Sequence, residues 1–356
     1  MAVQVVFFGS PSFALPSLES LRDAGHTLAL VVSQPMKPVG RRGEATDPPV
    51  ATRAKSLGIQ VFQPPTLKDD AAVARLSAAG ADVFVVVAYG KILAQRVLDL
   101  PRLGCVNVHG SLLPRWRGAS PVQASVLAGD AVTGISIMKM DSGMDTGPVY
   151  TMRETRIGEE ESAEDLGSRL GRMGADALVE TLFFLESEEE ETTTAAPLPR
   201  GAGRVPPLPR GTDRADAGPS VALSKKIFFP PLPQDSSLAT TCPKITREDA
   251  RVDWTRPAAE VIRRARAFTP WPGLFTIRRN TRVKLSCLSP IVREPWTREG
   301  AEKSSPGTIL EAGPRLVVAC GEGAVSIAAL QAEGRRALPA AEFVRGERVL
   351  VGERWG

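Results

Sequence analysis

Histidine and cysteine are scarce in this chain: two histidines and four cysteines stand among 356 residues. The cysteines, Cys105, Cys242, Cys287 and Cys320, lie far apart, with neither the close pairs of a metal site nor the density of a disulfide framework. That excludes a zinc module and a disulfide-stapled secreted fold, and predicts reduced thiols in a cytoplasmic protein. No apolar run is long enough to span a bilayer. The opening MAVQVVFFGS has no basic stretch before its apolar run and predicts a first strand rather than a signal peptide. The G-x-G-x-x-G pattern of a dinucleotide site is missing after that strand, where GSPSFA stands instead. No Ser or Cys sits in a nucleophile elbow, which makes direct group transfer simpler than a covalent enzyme intermediate. The net charge of +4 is unevenly spread, with a basic excess of about +7 from Lys244 to the end. Such an excess suits either a nucleic-acid partner or a solvated face.

What is present is an alternation of strands and helices. Apolar runs at 3–8 and 82–90 predict buried strands, 27–33 and GCVNVHG (104–110) predict two more, and apolar positions at helical spacing follow near 15–21, 49–58 and 70–80. Residues 133–141 alternate apolar with small or polar side chains and predict a half-exposed strand, and 149–157 continues the sheet. An amphipathic helix over 162–187 opens on a Ser cap before acidic residues. Residues 1–187 are therefore predicted to form an α/β, Rossmann-like, doubly wound and mostly parallel sheet, with ligands at the carboxyl ends of the strands. QPMKPVGRRGEATDPPV (34–50) has no apolar period and predicts a loop. Residues 188–237, rich in Pro, Gly and charge, predict a disordered linker or insert; the PLPR repeats fit a polyproline-binding partner or a passive tether. Residues 238–356 hold a helix that ends before Pro270 and several short β runs with Gly turns, the pattern of a small OB-like β-barrel.

One stretch is chemically crowded. NVHGSLLPRWRGASPV (107–122) sets His109 two residues after Asn107 at a strand end, and MDSGMDTGPVY (140–150) places two aspartates on a Gly-rich loop. Asp145 lies 36 residues beyond His109, enough chain for a crossover to return to the same sheet edge. An imidazole, a carboxamide and a carboxylate gathered there can perform acyl transfer. The imidazole takes a proton from an attacking amine. An amide or imidazole N–H stabilises the developing oxyanion, and the carboxylate orients the imidazole or raises its pKa. Taken alone, Asn107 and His109 fit equally a plain hydrogen-bonded loop. His26, in DAGHT, reads as a structural turn residue, and Met138 and Met140 as a packing surface.

NVHGSLLPRWRG and MDSGMDTG resemble the 10-formyltetrahydrofolate-dependent formyltransferases. So do FFGSPSFALPSLESL, VVVAYGKILAQRVLDLPRLGC, PVQASVLAGDAVTGISIMKMD, ATTCPKITREDARVDW and RAFTPWPGLFT, which together span most of 1–187 and 238–345. The resemblance is greatest to the branch that acts on methionyl-initiator tRNA. It implies catalytic roles for Asn107, His109 and Asp145. It implies folate contacts at Ser111, Leu112, Leu113 and Pro114, where small and apolar residues beside a strand end can hold a flat pterin. It implies tRNA contacts from Arg41 and its neighbour Arg42 in the 34–50 loop, and tRNA support from the OB-like domain. The donor implied is 10-formyltetrahydrofolate; no metal and no membrane are implied, and the family suggests a monomer. Met36 departs from the family's usual Asp, RRGEAT is less basic than its usual loop, and about 45 residues before PQDSSLATTCPKIT have no recognised counterpart. Two rivals remain on these grounds. One is a formyltransferase for a small amine, whose relatives usually lack the basic loop and basic C-terminal barrel. The other is a tRNA-binding relative without catalysis, against which the intact trio argues.

Overall fold

A computed structural model describes residues 2–39, 44–194, 227, 230–291 and 304–356. The chain forms two compact units: residues 1–112, 134–155 and 171–234 make the first, and 113–133, 156–170 and 235–356 the second. In chain order the elements begin β1 (Gln4–Gly9), α1 (Leu15–Asp23), β2 (Thr27–Val32), β3 (Lys37–Val39), β4 (Glu44–Thr46), α2 (Pro49–Ser56) and β5 (Val61–Phe62). They continue with α3 (Asp70–Ala78), β6 (Val83–Val87), α4 (Gln95–Leu98), β7 (Cys105–His109), β8 (Arg117–Gly118), α5 (Pro121–Ala128), β9 (Val132–Lys139), β10 (Val149–Arg156) and α6 (Ala163–Thr194).

The first unit is built on a seven-stranded sheet in the order β10-β9-β7-β6-β1-β2-β5. The pairs β1–β2, β1–β6, β2–β5 and β6–β7 are parallel, and β7–β9 is antiparallel. The chain moves from β1 outward through β2 and β5, then returns to the other side of β1 as β6, so the Rossmann-like reversal of winding lies between β1 and β6. Val5 to Phe8 and Val83 to Val87 are buried on both faces, which is why these strands read as unbroken apolar runs. On the other face α6 lies close: a Cβ at Gly174 would sit 2.6 Å from Val108 Cγ1.

Two expectations for this unit are corrected. β9 is not half-exposed, since its six middle residues are buried. Its small residues mark close packing instead of a wet face: a Cβ at Gly134 would meet the Arg153 carbonyl at 2.0 Å, and the Ser136 hydroxyl is hydrogen-bonded. Within 34–50, β3 and β4 pair as an antiparallel ribbon, with Lys37 opposite Thr46 and Val39 opposite Glu44. The exposed β4 buries neither face, so no apolar alternation marked it.

The expected linker, 188–237, lies largely outside the described residues. At its start α6 continues to Thr194, through glutamates that favour helix. At its end Leu232 forms an isolated antiparallel bridge with Val149.

In the second unit β11 (Thr241–Cys242) pairs in parallel with β8. The helix α7 (Ala258–Ala267) is followed by β12 (Phe275–Arg278), β13 (Thr281–Pro290), β14 (Ile309–Ala312), β15 (Leu316–Ala319), β16 (Ala324–Ala332), β17 (Leu338–Pro339) and α8 (Ala340–Glu347). The sheet order β12-β13-β16-β15-β14, with β17 added on β16, is antiparallel throughout and forms the curled, OB-like half-barrel. Val261 and Phe268 from the α7 side, Phe343 from α8 and Trp355 fill its core against Leu285, Ile309, Val318 and Ile327. The four cysteines are all free thiols, three of them buried.

His26 follows Gly25 at the turn between α1 and β2, and its Nδ1 accepts the Val3 N–H at 3.4 Å. Burial holds its pKa below the ordinary value, with the charge of Glu186 acting in the opposite direction. As pH falls from about 7 towards 5, the unfolded imidazole, with an ordinary pKa of about 6.5, takes up a proton that the folded one resists. Stability should therefore fall across that window. Urea unfolding of wild type and His26→Gln checks this: the His26 share of the slope should vanish in the variant, and identical profiles would show that another group is responsible.

Candidate active site

β7 pairs with β6 through Val86 and Asn107, and with β9 through Asn107 opposite Met138 and His109 opposite Ser136. The two-residue alternation of a strand turns Asn107 and His109 to one face and Val108 to the face that meets α6. Asn107 is therefore a residue of the strand itself and His109 its last member.

Asp145 reaches them by a route the sequence did not suggest. A return crossover to the same edge was expected, but β9 runs antiparallel to β7, and its end lies beside the beginning of β7. Lys139 stands opposite Val106, and the Met140 N–H donates to the Cys105 carbonyl at 2.8 Å. Val106 and His109 are separated by about 10 Å of strand. The loop 140–148 must fold back over that distance, and it does: Asp145 Oδ2 lies 3.6 Å from His109 Nδ1, an ion-pair distance slightly beyond a direct hydrogen bond. The His109 side chain is 6% exposed and that of Asp145 19%.

Several contacts hold the folded-back loop. The Asp141 carboxylate accepts from the Gly143 N–H at 3.0 Å and from the Thr146 hydroxyl at 2.7 Å, an Asx-type staple across the loop. Gly147 passes so close to β9 that a Cβ would lie 1.9 Å from the Lys139 carbonyl. Asp145 itself has a φ of +55°, in the left-handed region. Gln234 Nε2 donates to the carbonyls of Asp145 at 2.9 Å and Gly147 at 2.7 Å.

The polar atoms around the trio are unevenly satisfied. Asn107 Oδ1 is buried and has no hydrogen-bond partner among the described residues. Leaving such an atom unpaired costs about 1–3 kcal/mol, so it marks a place where a ligand group completes the bonding. Ser136 Oγ donates to the Ser111 carbonyl at 2.8 Å and pins the chain just beyond β7. Ser111 is fully buried, Leu112 follows it on the first unit, and Leu113 is joined to Pro114 by a cis peptide. Burial pushes the Cys105 thiol and the Tyr89 hydroxyl each up to about 12, so neither supplies a base near neutral pH. Among the described residues no cluster of three or more His, Cys, Asp or Glu is arranged to hold a metal ion.

The structure thus brings together Asn107, His109 and Asp145, and fixes Ser111 beside them. Arg41 and Arg42 lie outside the described residues. Sequence reasoning missed Ser136, Asp141, Thr146 and Gln234. The D-S-G of the loop carried a turn signal for Asp141, whereas Gln234, 89 residues from Asp145, carried none. In the second unit, Arg247, Arg282 and Lys284 surround the half-exposed Trp271 in a surface cavity of about 240 Å³. A larger cavity of about 410 Å³, along Val252 to Thr255 and Arg354 to Gly356, contains none of the trio.

Known proteins resemble this chain along its whole length. Residues 1–182 match the Formyl transferase family and residues 244–348 match the Formyl transferase, C-terminal domain, family. The methionyl-tRNA formyltransferase of Ruegeria pomeroyi is 41% identical over 352 residues, covering 99% of this chain and 100% of the relative. That of Cereibacter sphaeroides is 39% identical over 353 residues, covering 99% of each. Among solved structures, a variant of HypX from Aquifex aeolicus superposes with a TM-score of 0.59 at 16% identity, over 99% of this chain and 49% of that one. WlaRD, a sugar 3N-formyl transferase, gives a TM-score of 0.59 at 14% identity, over 94% of this chain and 100% of that one. At such identities these two similarities speak to the fold alone.

The close passage at Gly147 makes one substitution diagnostic. Gly147→Ala forces its Cβ against backbone, so the loop must shift, at a cost of about 1–3 kcal/mol. Urea unfolding should show that loss; unchanged stability would mean that the loop accommodates a methyl group where no room is visible.

Proposed function

We propose, from the premise that this chain belongs to the formyl transferase family, that it transfers a formyl group from 10-formyltetrahydrofolate to the amino group of methionyl-initiator tRNA. The observation that carries the site assignment is the meeting of Asn107, His109 and Asp145 on one face of the sheet, with a buried amide oxygen of Asn107 left to a ligand. The residues fit a folate donor. The apolar side chains of Leu112 and Pro114, both partly exposed, suit a flat ring that Ser111 and Leu113, both buried, would meet through backbone groups, and the unpaired Asn107 oxygen suits a polar group carried by the substrates. The donor supplies the formyl group, carried as an amide on a folate nitrogen; the chain's own residues do the rest.

His109 presents Nδ1 to Asp145. That contact favours the tautomer with a proton on Nδ1 and makes Nε2 the basic nitrogen, which takes the proton lost by the attacking amine and hands it to the donor nitrogen as that nitrogen's bond to the formyl carbon breaks. Asp145 holds the imidazole in this orientation and stabilises it once it is charged. The Asn107 amide N–H donates to the carbonyl oxygen as negative charge gathers there. Burial of His109 keeps water from competing with the amine and strengthens each of these interactions.

The tRNA part rests on different features. The curated relatives matched over the whole chain are named for methionyl-tRNA, and basic residues exceed acidic ones from Lys244 onward. The exposed Trp271 beside Arg247, Arg282 and Lys284 suits a nucleic-acid strand, with a base on the ring and phosphates on the cations. We assign Arg41 and Arg42 to the tRNA as well, and read residues 1–187 as the catalytic domain, 188–237 as a linker or insert, 238–356 as the tRNA-supporting domain, and the working protein as a cytoplasmic monomer. Among the described residues no helix is long and apolar enough to cross a membrane.

A formyl-transfer assay tests the function by comparing methionyl-initiator tRNA, methionyl-elongator tRNA and glycinamide ribonucleotide. Transfer confined to the charged initiator tRNA is expected. Transfer to the small amine alone would overturn the substrate, and tRNA binding without transfer would overturn the enzyme. Within that assay Asn107→Ala and Asp145→Asn should each lower kcat by about 10²–10³-fold, because their work is done at the transition state. The KM for tRNA should change little. Arg41→Ala should do the reverse, raising the KM for tRNA with little change in kcat; an unchanged KM would remove Arg41 from the contact.

A further inference from the structure

We propose that Gln234 is a positioning residue for Asp145, clamping the folded-back loop so that the carboxylate faces His109. The inference rests on the catalytic reading of Asp145 given above, and it assigns work to a residue that the sequence placed in a passive linker.

The clamp is made by one carboxamide group. Both amide protons of Gln234 Nε2 are used, one on the Asp145 carbonyl at 2.9 Å and one on the Gly147 carbonyl at 2.7 Å. These acceptors flank Thr146, the residue stapled to Asp141, so the two attachments fix the loop on either side of its own tie. Reversing the amide would set Oε1 against two carbonyl oxygens, which fixes its orientation. The backbone anchors the clamp two residues earlier. Val149 N–H donates to the Leu232 carbonyl at 2.8 Å, and Leu232 N–H donates to the Val149 carbonyl at 2.9 Å, at the start of the edge strand β10.

The loop needs such an anchor for three reasons. It leaves β9 beside the start of β7 and must travel back along the sheet to bring Asp145 to His109. Its outer part is exposed, with Met144 presented to solvent and no apolar burial to hold it. Asp145 adopts a positive φ, a conformation disfavoured for a residue with a Cβ. Gln234 binds the carbonyl of that very residue. It touches no reacting atom, and its effect passes through the backbone of Asp145.

The test is a double-mutant cycle on the full chain in the formyl-transfer assay. Gln234→Leu keeps the bulk and removes the donors. It should lower kcat by about ten- to a hundredfold, the effect of misplacing a catalytic group by about 1 Å, with KM for both substrates within about twofold. Gln234→Glu, which sets a carboxylate against two carbonyls, should be at least as impaired. In the Asp145→Ala background Gln234→Leu should cost almost nothing further, because the group it positions is gone. Amide hydrogen exchange should accelerate over 141–147 and stay unchanged in β7 and β9. Wild-type kcat in both Gln234 variants, beside an impaired Asp145→Ala, overturns the clamp and leaves the catalytic reading intact. A full additional loss in the Asp145→Ala background also overturns it, since Gln234 would then act elsewhere. Wild-type turnover in Asp145→Ala itself removes the catalytic reading and the clamp with it.

Discussion

The antiparallel pairing of β7 with β9 sets His109 opposite Ser136 and Asn107 opposite Met138, and the candidate chemistry hangs on that register. A slip of one residue would reverse every side chain of β7. Val108 would turn into the site, and Asn107 and His109 would turn toward α6, where the close approach at Gly174 leaves room for nothing larger than Val108. The register is therefore guarded from both faces. Steric closeness to α6 guards one. On the other, Ser136 sits where its hydroxyl can reach the Ser111 carbonyl only if His109 lies directly across from it. Packing in the core and placement of the candidate groups are the same constraint seen from opposite sides of one strand.

The direction of β9 then imposes a cost. A parallel crossover would have delivered the next loop to the carboxyl end of β7 with no detour. The antiparallel strand ends beside Cys105 instead, and the loop that carries Asp145 has to double back. A loop that doubles back over a sheet face, with exposed residues at its tip, has little hydrophobic reason to stay there, and ordering it carries the usual entropic penalty. Polar contacts take over that task. Asp141 ties the loop to itself, Gly147 lets it press on β9, and Gln234 fastens it from outside. The Asp145–His109 distance of 3.6 Å is thus the outcome of contacts made mostly by residues other than these two.

The sequence was most informative where burial was complete. β1 and β6 were legible as apolar runs because both faces of those strands are covered. His109 was legible because a scarce residue stood at a strand end beside an amide. Elsewhere local pattern failed for physical reasons. The β3–β4 ribbon was invisible because pairing by backbone alone leaves no period in the side chains. β9 looked half-exposed because its Gly and Ser are small for close packing, not polar for water. The direction of β9 was illegible because strand polarity is decided by the connection and not by composition. Gln234 was hidden among prolines and charges, and the contact that gives it meaning spans 89 residues. Low-complexity composition describes how little a segment buries; it does not say that each of its residues is idle.

Charge distribution separates recognition from chemistry along the chain. In the proposed mechanism His109 accepts a proton beside a single carboxylate, a task that needs no broad field. The tRNA needs the opposite, a broad positive field that acts over several ångströms and weakens with salt. The basic excess lies after Lys244 in the chain and the trio before Thr146. On the proposed mechanism salt should therefore enter the kinetics through binding of the tRNA and bear less on the His109–Asp145 pair, whose side chains are 6% and 19% exposed.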